Sequence, residues 1–446
     1  MQTDDEYTIS MLRRLDDEPT RPSQVDLFQA VGTARRRRRA RRAAGMGGAA
    51  VLAAVAATVV PLALHGVRPG GPDDRLAGEM TGTASPSAPS VAPPASVAPP
   101  TNCTVHALPV PGGDPMSLVT GGDPTGRFLL GRSYPVGHKG SYPVLIWDNG
   151  VPRRVNLPGS DQRLADITSA GVAVGAGWTA KGPVAHLYRD GKVSKMPGGE
   201  SAEALAINGA ERVVGYRGGP GNARPIIWSS PSTSAVDLPM PPGQGWGMAV
   251  DIDEDGTVIG VLHGRDGTVA ASGGPVHSRQ GYLWRPDGTG QELPKPTVAG
   301  APADEFIPQS IRDGWVTGLA VRYDPDAPGR TVGGTDAGVK PPLDPSGKPT
   351  DIAEVRTLVR LHVATGEFVA LPPKALSSLA GNGRWVAGSI DDDHVGLLTD
   401  AGLLMLPSLH KHTLPMVNVL SDDGRTLAGQ SDNSKGDPQA VVWRCR

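Results

Sequence analysis

The sequence predicts an all-β fold, a seven-bladed β-propeller that follows one membrane-spanning helix and a disordered linker. Three observations support this prediction: a four-strand pattern that repeats about every 40–45 residues, an uncharged run beside an arginine cluster, and two cysteines placed near the two ends of the repeats. The 446 residues include 60 glycines and 44 prolines, a composition that suits many short strands joined by turns. The net charge of −2 provides no general attraction to nucleic acid.

Each repeat contains four short apolar runs separated by turn residues. The first run and its turn lead into a second run that reaches a glycine; these glycines are Gly131, Gly175, Gly215, Gly260, Gly318, Gly388 and Gly429. A third run often ends in Trp, and a fourth ends in Leu-Pro or Met-Pro. One four-stranded unit cannot bury its own faces, so such repeats close into a ring. The count predicts seven blades, with six or eight as alternatives because the fifth and sixth repeats are degenerate.

The last repeat stops after its third run, at residues 439–446, and therefore lacks a fourth strand. The segment "CTVHALP", residues 103–109, has the pattern of a fourth strand and precedes the first repeat. We expect it to complete the last blade, which places Cys103 beside Cys445. The two residues are predicted to form a disulfide that fastens the ring, and such a bond persists outside the reducing cytoplasm.

The repeats resemble the HAF-type extracellular repeat of bacteria, whose units read roughly A-x-x-I-N-x-x-G-x-V-V-G and then A-x-L-W-x-x-G. The pattern is clearest in "ALAINGAERVVG" with "PIIW", residues 204–228, and in "AVDIDEDGTVIG" with "GYLW", residues 249–284. The resemblance covers about residues 103–446. It implies a surface-exposed, propeller-like domain and implies no particular reaction.

Residues 43–64 carry no charge over a length that spans a bilayer as a helix. The arginine-rich run 35–42 precedes them, so the positive-inside rule predicts residues 1–42 in the cytoplasm and the chain after residue 64 outside the cell membrane. A cleaved signal peptide is the alternative, but its apolar region is normally about 7–15 residues. Residues 65–101, rich in Pro, Ala and Ser, are predicted to be a disordered linker, and residues 102–446 the ectodomain.

Six of the eight tryptophans recur at matching positions of the second and third strands, which predicts packing between blades. These six are Trp147, Trp228, Trp284, Trp443, Trp315 and Trp385. Trp178 and Trp246 fall outside this register. In a propeller, the loops between second and third strands open on the same face as the links between blades. The long insertions, residues 263–280 and 323–356, are of this loop class, so we expect ligand to bind on this face.

The candidate binding residues on this face are Trp178, Trp246, His263, Arg265, Tyr323, Asp324, Asp391, Asp392 and His394. The segment "DDDH", residues 391–394, is either a solvated acidic loop or a metal or acid–base site. The segment "DIDEDG", residues 251–256, fits a tight turn better than a calcium loop, because an EF-hand requires a glutamate where Leu262 stands. The segment "HKH", residues 410–412, offers two imidazoles with no assigned third ligand. The sequence predicts no catalytic residue, metal or cofactor.

These features predict a membrane-anchored extracytoplasmic binding module for a protein or an envelope glycan. A propeller-fold enzyme of the glycan hydrolase or lyase type, with its site at the channel mouth, is one alternative; Asp324, Asp391, Asp392, His394 and Trp246 are the residues that would test it. A transmembrane sensor is the other, because Tyr7, Met11 and Leu15 share a helical face on which residues 1–42 would dock a cytoplasmic partner. The arginine run is interpreted as a topology signal that contacts lipid headgroups, not as a nucleic-acid site.

Overall fold

In the computed structural model the described residues are 97–136, 142–219, 221–264, 279–298, 300–324, 353–371, 379–390, 394–410 and 415–446. Within these ranges the chain forms thirty strands and one short 3-10 turn, Pro111–Gly113, so the predicted all-β class is confirmed. None of the described residues belongs to a helix long and apolar enough to cross a membrane. The predicted span 43–64 lies outside the described residues, as do the cytoplasmic segment and most of the linker.

The strands follow one another in antiparallel meanders of four, which we number in chain order. The first strand, β1 (Cys103–Ala107), precedes them. Meander 1 contains β2 (Met116–Gly122), β3 (Phe128–Tyr134), β4 (Val144–Asp148) and β5 (Val151–Val155). Meander 2 contains β6 (Ser160–Ile167), β7 (Ala173–Thr179), β8 (Gly182–Arg189) and β9 (Lys192–Glu200). Meander 3 contains β10 (Ala202–Ile207), β11 (Val213–Arg217), β12 (Arg224–Trp228) and β13 (Val236–Asp237). Meander 4 contains β14 (Gln244–Ile252), β15 (Val258–Gly264), β16 (Arg279–Trp284) and β17 (Gly290–Glu292).

A small hairpin, β18 (Thr297–Val298) and β19 (Ala301–Pro302), separates meanders 4 and 5. Meander 5 contains β20 (Glu305–Arg312), β21 (Trp315–Asp324), β22 (Ala353–His362) and β23 (Phe368–Ala370). Meander 6 contains β24 (Leu379–Gly381), β25 (Val386–Ser389), β26 (Val395–Thr399) and β27 (Gly402–Leu406). Meander 7 contains β28 (Met416–Leu420), β29 (Thr426–Asp432) and β30 (Pro438–Cys445), and β1 completes it. One parallel bridge, Gln280 to Phe306, merges meanders 4 and 5 into an eight-stranded sheet.

The N-terminal strand closes the last meander as predicted. Cys103 stands directly opposite Cys445 in the antiparallel ladder of β1 and β30, with their Cα atoms 4.0 Å apart, and the two residues form a disulfide. The pairing continues past the cysteines, because the Thr101 amide donates to the Arg446 carbonyl at 2.7 Å. The predicted disulfide and the closing strand are therefore confirmed.

The buried core is divided into clusters that each join neighbouring meanders. One cluster packs Leu164 and Tyr188 of meander 2 against Val155 of meander 1, and the others continue along the chain in the same way. A further cluster packs Trp147 of meander 1 against Val442 of meander 7. The succession thus returns to its start, and each meander buries its apolar faces against both neighbours.

In meanders 1 to 5 and 7, a β-bulge in the first strand explains the recurring glycine of the second strand. The ladder between these two strands shifts register opposite Gly131, Gly175, Gly215, Gly260, Gly318 and Gly429. A Cβ atom on Gly215 would overlap the carbonyl oxygen of Glu203, and one on Gly429 would overlap that of Met416. The extra residue of a bulge bends its strand, and here its neighbouring carbonyl is brought against the partner strand. Glycine is therefore the residue that fits.

The third-strand tryptophans bind the Leu-Pro and Met-Pro motifs across meander boundaries. The indole Nε1 of Trp228 donates to the Pro197 carbonyl oxygen at 2.8 Å, and that of Trp443 donates to Pro407 at 2.7 Å. The same bond, 2.7 Å in each case, joins two further pairs: Trp147 with Pro109 and Trp284 with Pro239. All four side chains are at most 1% exposed. The prediction that they pack between meanders is confirmed.

The two second-strand tryptophans differ from each other. Trp385 is buried between meanders 6 and 7, where a Cβ atom on Gly424 would overlap its ring. Trp315 is half-buried and lies within its own meander, with the Arg360 guanidinium carbon 4.4 Å from its ring centroid. The ring contacts seen for Trp315, with Arg360 and His362, lie within its own meander. Arg360, on which the Trp315 ring stacks, reaches the first turn of meander 6.

Candidate functional site

The predicted binding face carries a stacked aromatic pair. Trp246, near the start of β14, stands opposite His263, near the end of β15, and their ring centroids lie 3.5 Å apart with the rings 7° from parallel. Trp178 occupies the corresponding end of β7, opposite Ser160. All three ring side chains are half-buried. These positions lie at the ends of the strands from which the second-to-third loops leave, as the topology predicted.

The structure describes the other predicted residues less fully. Tyr323 and Asp324 end β21, paired in the backbone ladder with Glu354 and Ala353. His394 is exposed, and its carbonyl accepts from the Ile390 amide at 2.8 Å. Predicted residues outside the described ranges are Arg265, Asp391 and Asp392, together with residues 411–412 of the "HKH" segment. Among the candidate binding residues whose side chains the structure describes, Trp246 and His263 stack on each other.

Residues 251–256 form the predicted tight turn. The Asp253 amide donates to the Thr257 carbonyl at 2.8 Å, and the Gly256 amide donates to the Asp253 carbonyl at 3.0 Å. The Asp253 carboxylate accepts from the backbone amides of Asp313 and Gly314, at 3.1 and 2.7 Å, in the next meander. This carboxylate therefore holds two meanders together. Throughout the part of the chain that the structure describes, no group of three or more His, Cys, Asp or Glu side chains is arranged to hold a metal ion.

A cavity of about 260 Å³ lies where the first strands of the seven meanders meet. Its walls come from the C-terminal halves of these strands and from the turns after the first and last of them: 120–124, 165–166, 205–207, 250–252, 309–312, 380–381, 418–420 and 422. The residues added by the bulges, such as Ala165 and Val250, are part of the lining. Because first strands run toward the first-to-second turns, the cavity lies at the end of the strands opposite the predicted binding face.

Two aspartates that line the cavity occupy equivalent positions of β6 and β14. Asp166 accepts from the Ile207 amide of the next meander at 2.8 Å, and Asp251 accepts from the Ile311 amide at 2.8 Å. Each also accepts from the amide of the residue that follows it. Burial raises the pKa of Asp166 to about 6 and that of Asp251 to about 7, and the charge of Asp166 adds to the effect on Asp251.

Arg312 spans one end of the cavity. Its Nη1 lies 2.9 Å from Oε1 of Glu254, and its Nε lies 3.6 Å from Oδ1 of Asp422. Burial lowers the pKa of Arg312, but the surrounding carboxylates, Asp422 first among them, outweigh burial and hold the pKa above its ordinary value. The Glu254 carboxylate also accepts from the Gly209 amide at 2.9 Å, and the Asp422 amide donates to the Pro124 carbonyl at 2.8 Å. The network therefore connects meanders 1, 3, 4, 5 and 7.

Another buried carboxylate lies nearer the N-terminal ends of the first strands. Glu203 of β10 accepts from the Tyr216 hydroxyl at 2.8 Å and pairs with Arg163 of β6. Burial, followed by the charge of Glu203, raises the pKa of Tyr216, so this phenol keeps its proton and is a weak acid. The side chains of Arg163, Glu203 and Tyr216 together connect meanders 2 and 3.

Sequence reasoning missed the cavity residues and the Glu203 group. The available signal was a single charged residue inside an otherwise apolar first strand, as with Asp166 in "LADI" and Asp251 in "AVDI". A buried charge requires partners, and these charges have them in the adjacent meander.

No protein-family model matches the chain, and a search of curated proteins finds no match. Similar solved structures include the β-propeller domain of the Trilobed protease from Pyrococcus furiosus, 9% identical, covering 74% of this chain and 93% of that one at a TM-score of 0.49. TolB from Acinetobacter baumannii is 13% identical, with 75% and 68% covered and a TM-score of 0.36. A prolyl endopeptidase structure is 11% identical, with 74% and 47% covered and a TM-score of 0.47. These likenesses are too remote to carry an argument about function, and the resemblance to the HAF-type repeat stays a prediction.

Proposed function

We propose that this chain is a single-pass membrane protein whose seven-bladed β-propeller acts as a binding module outside the cytoplasm. The meanders are its blades, residues 1–42 its cytoplasmic segment, 43–64 its span and 65–101 its stalk. The uncharged run behind the arginine cluster supports the topology. The Cys103–Cys445 disulfide supports it independently, because structural disulfides are rare in the cytosol. The HAF-type pattern of the repeats is in line with an extracellular location.

The observation that carries the binding proposal is a difference between the two ends of the blades. First-to-second turns are uniformly short, for example residues 123–127, 168–172 and 253–257. Second-to-third connections range from residues 180–181 to residues 325–352. Variable loops on a rigid scaffold are where binding residues concentrate. The stacked Trp246 and His263 lie at this variable end.

The proposed ligand is a protein or an envelope glycan. A half-exposed indole with its ring held parallel to an imidazole offers a rigid, amphipathic surface, which suits either the C–H face of a sugar or an apolar side chain. Because Trp246 and His263 are fixed by cross-strand pairing, little side-chain entropy is lost when a ligand covers them.

Photo-crosslinking on intact cells tests this proposal. The full-length chain would carry a photoreactive phenylalanine at position 246, with position 315 as the matched control, since Trp315 is also half-buried but lies at the opposite end of its strands. We expect an adduct with one protein or glycan from position 246 and none from position 315. Equal labelling from both positions, or none from position 246, would argue against a ligand on this face.

A further inference from the structure

Aromatic side chains tie most meander boundaries together through a hydrogen bond, and we call each such contact a clasp. Tryptophan clasps to a proline carbonyl join meanders 7 and 1, 2 and 3, 3 and 4, and 6 and 7. At the boundary of meanders 1 and 2, Tyr188 takes the position of the tryptophan, and its hydroxyl accepts from Nη1 of Arg153 at 3.1 Å. Within the described residues, five of the seven boundaries therefore have a clasp.

Meanders 5 and 6 have leucine at the tryptophan position. Trp443 pairs with the residue two before the glycine of its second strand, and Leu361 and Leu398 make the same ladder pairing in their meanders. A leucine side chain has no N–H or O–H group. The boundaries of meanders 4 with 5 and 5 with 6 thus lose their clasp through the sequence itself.

The boundary of meanders 4 and 5 has other polar ties. The parallel bridge between Gln280 and Phe306 continues the sheet across it. Nε of Arg279 lies 2.8 Å from the Glu305 carboxylate, with side chains 18% and 1% exposed. The Asp251 carboxylate accepts from the Ile311 amide, also across this boundary. A low-exposure ion pair and backbone bonds replace the missing clasp here.

Across the boundary of meanders 5 and 6, the hydrogen bonds seen between described residues come from Arg360 of β22. Its Nη1 donates to the Arg384 carbonyl at 2.6 Å, and its Nη2 donates to the Gly383 carbonyl, both in the first turn of meander 6. Its guanidinium stacks on Trp315 of its own meander at 4.4 Å. The stacking holds the guanidinium in place, so one side chain supplies the polar bonds that an indole supplies elsewhere.

Meander 7 contains the first and last strands of the ring, β1 and β30, and is tied to both of its neighbours. It has clasps on both sides, through Trp443 and Trp147, and the Cys103–Cys445 disulfide within it. A ring closed by pairing between its two chain ends would open most readily where they meet, but here a covalent bond protects that point.

We propose that the ring opens locally between meanders 5 and 6, with Arg360 as the residue that keeps this boundary shut. Ala380 and Gly381 of meander 6 and residues 309–312 of meander 5 line the central cavity. Opening at this boundary therefore gives the cavity a lateral entrance, while the disulfide keeps the chain ends together. The proposal does not depend on the identity of any ligand.

Hydrogen exchange measured by mass spectrometry on the full-length chain in detergent micelles tests the proposal. In the unaltered protein we expect the amides of β24 and β25 to exchange at least about tenfold faster than those of β29 and β30. Exchange that begins at β1 and β30, or that is uniform over the meanders, would overturn it.

Two substitutions sharpen the test. Arg360→Gln should accelerate exchange of β24 and β25 by about tenfold or more, the factor expected when charge-assisted hydrogen bonds are lost. The matched control is Arg217→Gln, because Arg217 pairs with Asp237 inside meander 3 and should leave β24 and β25 unchanged. Leu398→Trp gives meander 6 the third-strand tryptophan that, in the clasped meanders, follows a Leu-Pro or Met-Pro motif in the sequence. It should slow the exchange of β24 and β25. If Arg360→Gln does not fold, the exchange map of the unaltered protein and the Leu398→Trp variant still decide, and a Leu398→Trp variant with unchanged exchange counts against the proposal.

Discussion

Gly215 and Gly429 face carbonyl oxygens that leave no room for a methyl group. Their place in the sequence, after a short apolar run, looks like that of a turn glycine, yet both lie inside strands. The close approach is produced by the bulge of the partner strand, and that bulge also places a residue against the central cavity. The recurring glycine is therefore required by the bulge whose residue lines the central cavity.

Replacing such a glycine with alanine should be strongly destabilising. We expect Gly215→Ala to lower the free energy of unfolding by about 3 kcal/mol, because the strands must separate to admit the methyl group. Gly219→Ala is the matched control, since the atom nearest its Cβ is Asn222 Oδ1 at 3.7 Å, and its effect should stay within about 0.5 kcal/mol. Urea denaturation of both variants measures the difference, and similar losses in the two would contradict the steric explanation.

The contribution of one clasp to stability can be measured by a single substitution. Trp443→Phe keeps an aromatic side chain but leaves the Pro407 carbonyl without its indole partner. We expect a loss of about 2 kcal/mol in unfolding free energy, combining the missing hydrogen bond with the smaller ring. Trp315→Phe, at a half-buried position, should cost clearly less in the same urea titration. A Trp443→Phe variant as stable as the parent would show that the bond contributes nothing.

The cavity aspartates should make stability depend on pH. Both carboxyls have a higher pKa in the folded chain, about 6 for Asp166 and about 7 for Asp251, than in an unfolded chain, about 3.9. The folded chain then binds their protons more tightly, so their contribution favours folding at acidic pH and is lost as the pH rises from about 4 to 8. Burial lowers the pKa of His186, which produces the opposite trend as the pH falls below about 6.5.

Comparison with Asp251→Asn isolates the aspartate contribution, because His186 is present in both proteins. We expect the fall in unfolding free energy between pH 5 and pH 8 to be smaller in the variant by about 1 kcal/mol or more, the equivalent of roughly one pKa unit. Chemical denaturation at several pH values across this range provides the measurement. Parallel pH profiles for the two proteins would contradict the assignment.

Among the elements, β1 has a structural role out of proportion to its length. It supplies the fourth strand of meander 7, one partner of the disulfide, and, just after its end, the Pro109 carbonyl that binds Trp147. The edge of β30 is thereby paired, and an unpaired edge strand would invite association with other chains.

Reduction of the disulfide should therefore destabilise the ring. The cysteines are 342 residues apart in sequence, and closing so long a loop is worth about 6 kcal/mol in the chain-entropy model. We expect a thiol assay on the native protein to find no reactive cysteine and the melting temperature to fall when a reductant is added. A Cys103→Ser, Cys445→Ser double variant should melt at the reduced protein's temperature with or without reductant. Reactive thiols before reduction would contradict the bond.

At the scale of the whole molecule, the sheets and the predicted membrane topology are inferred from different parts of the chain. The described residues account for the ring, whereas the span and the cytoplasmic segment are predicted from residues 1–64 alone. The disulfide connects the two, because it supports the proposal that the ring lies outside the reducing cytoplasm.

Protease treatment of intact cells tests this arrangement. We expect the full-length chain to remain with membranes after alkaline carbonate extraction, and external protease to remove an epitope at the C-terminus while sparing one at the N-terminus. Protection of the C-terminal epitope until the membrane is broken would place the ring inside and refute the topology. Loss of the chain from membranes on extraction would favour the cleaved signal peptide.

Sequence pattern alone determined the strand order, the closing role of residues 103–109 and the disulfide. These depend on local periodicity and turn residues, and on a fourth strand that is missing from the last repeat and present before the first. The stacking of Trp246 on His263 depended on tertiary structure, although the sequence had placed both residues on one face. Register along two strands sets the contact, and apolar patterns specify register only indirectly.

Only the tertiary structure decided which side chains work across meander boundaries. Asp251 binds an amide 60 residues away, and Trp443 binds a carbonyl 36 residues away. Such partners have no fixed spacing in the sequence, because insertions between strands change the separation without changing the packing. Arg360 shows the same limit, since nothing in its neighbourhood distinguishes it from a solvated arginine until meander 6 is placed against it. The repeat pattern predicts the strands of each meander. The packing of one meander against the next determines which buried polar groups form hydrogen bonds with each other.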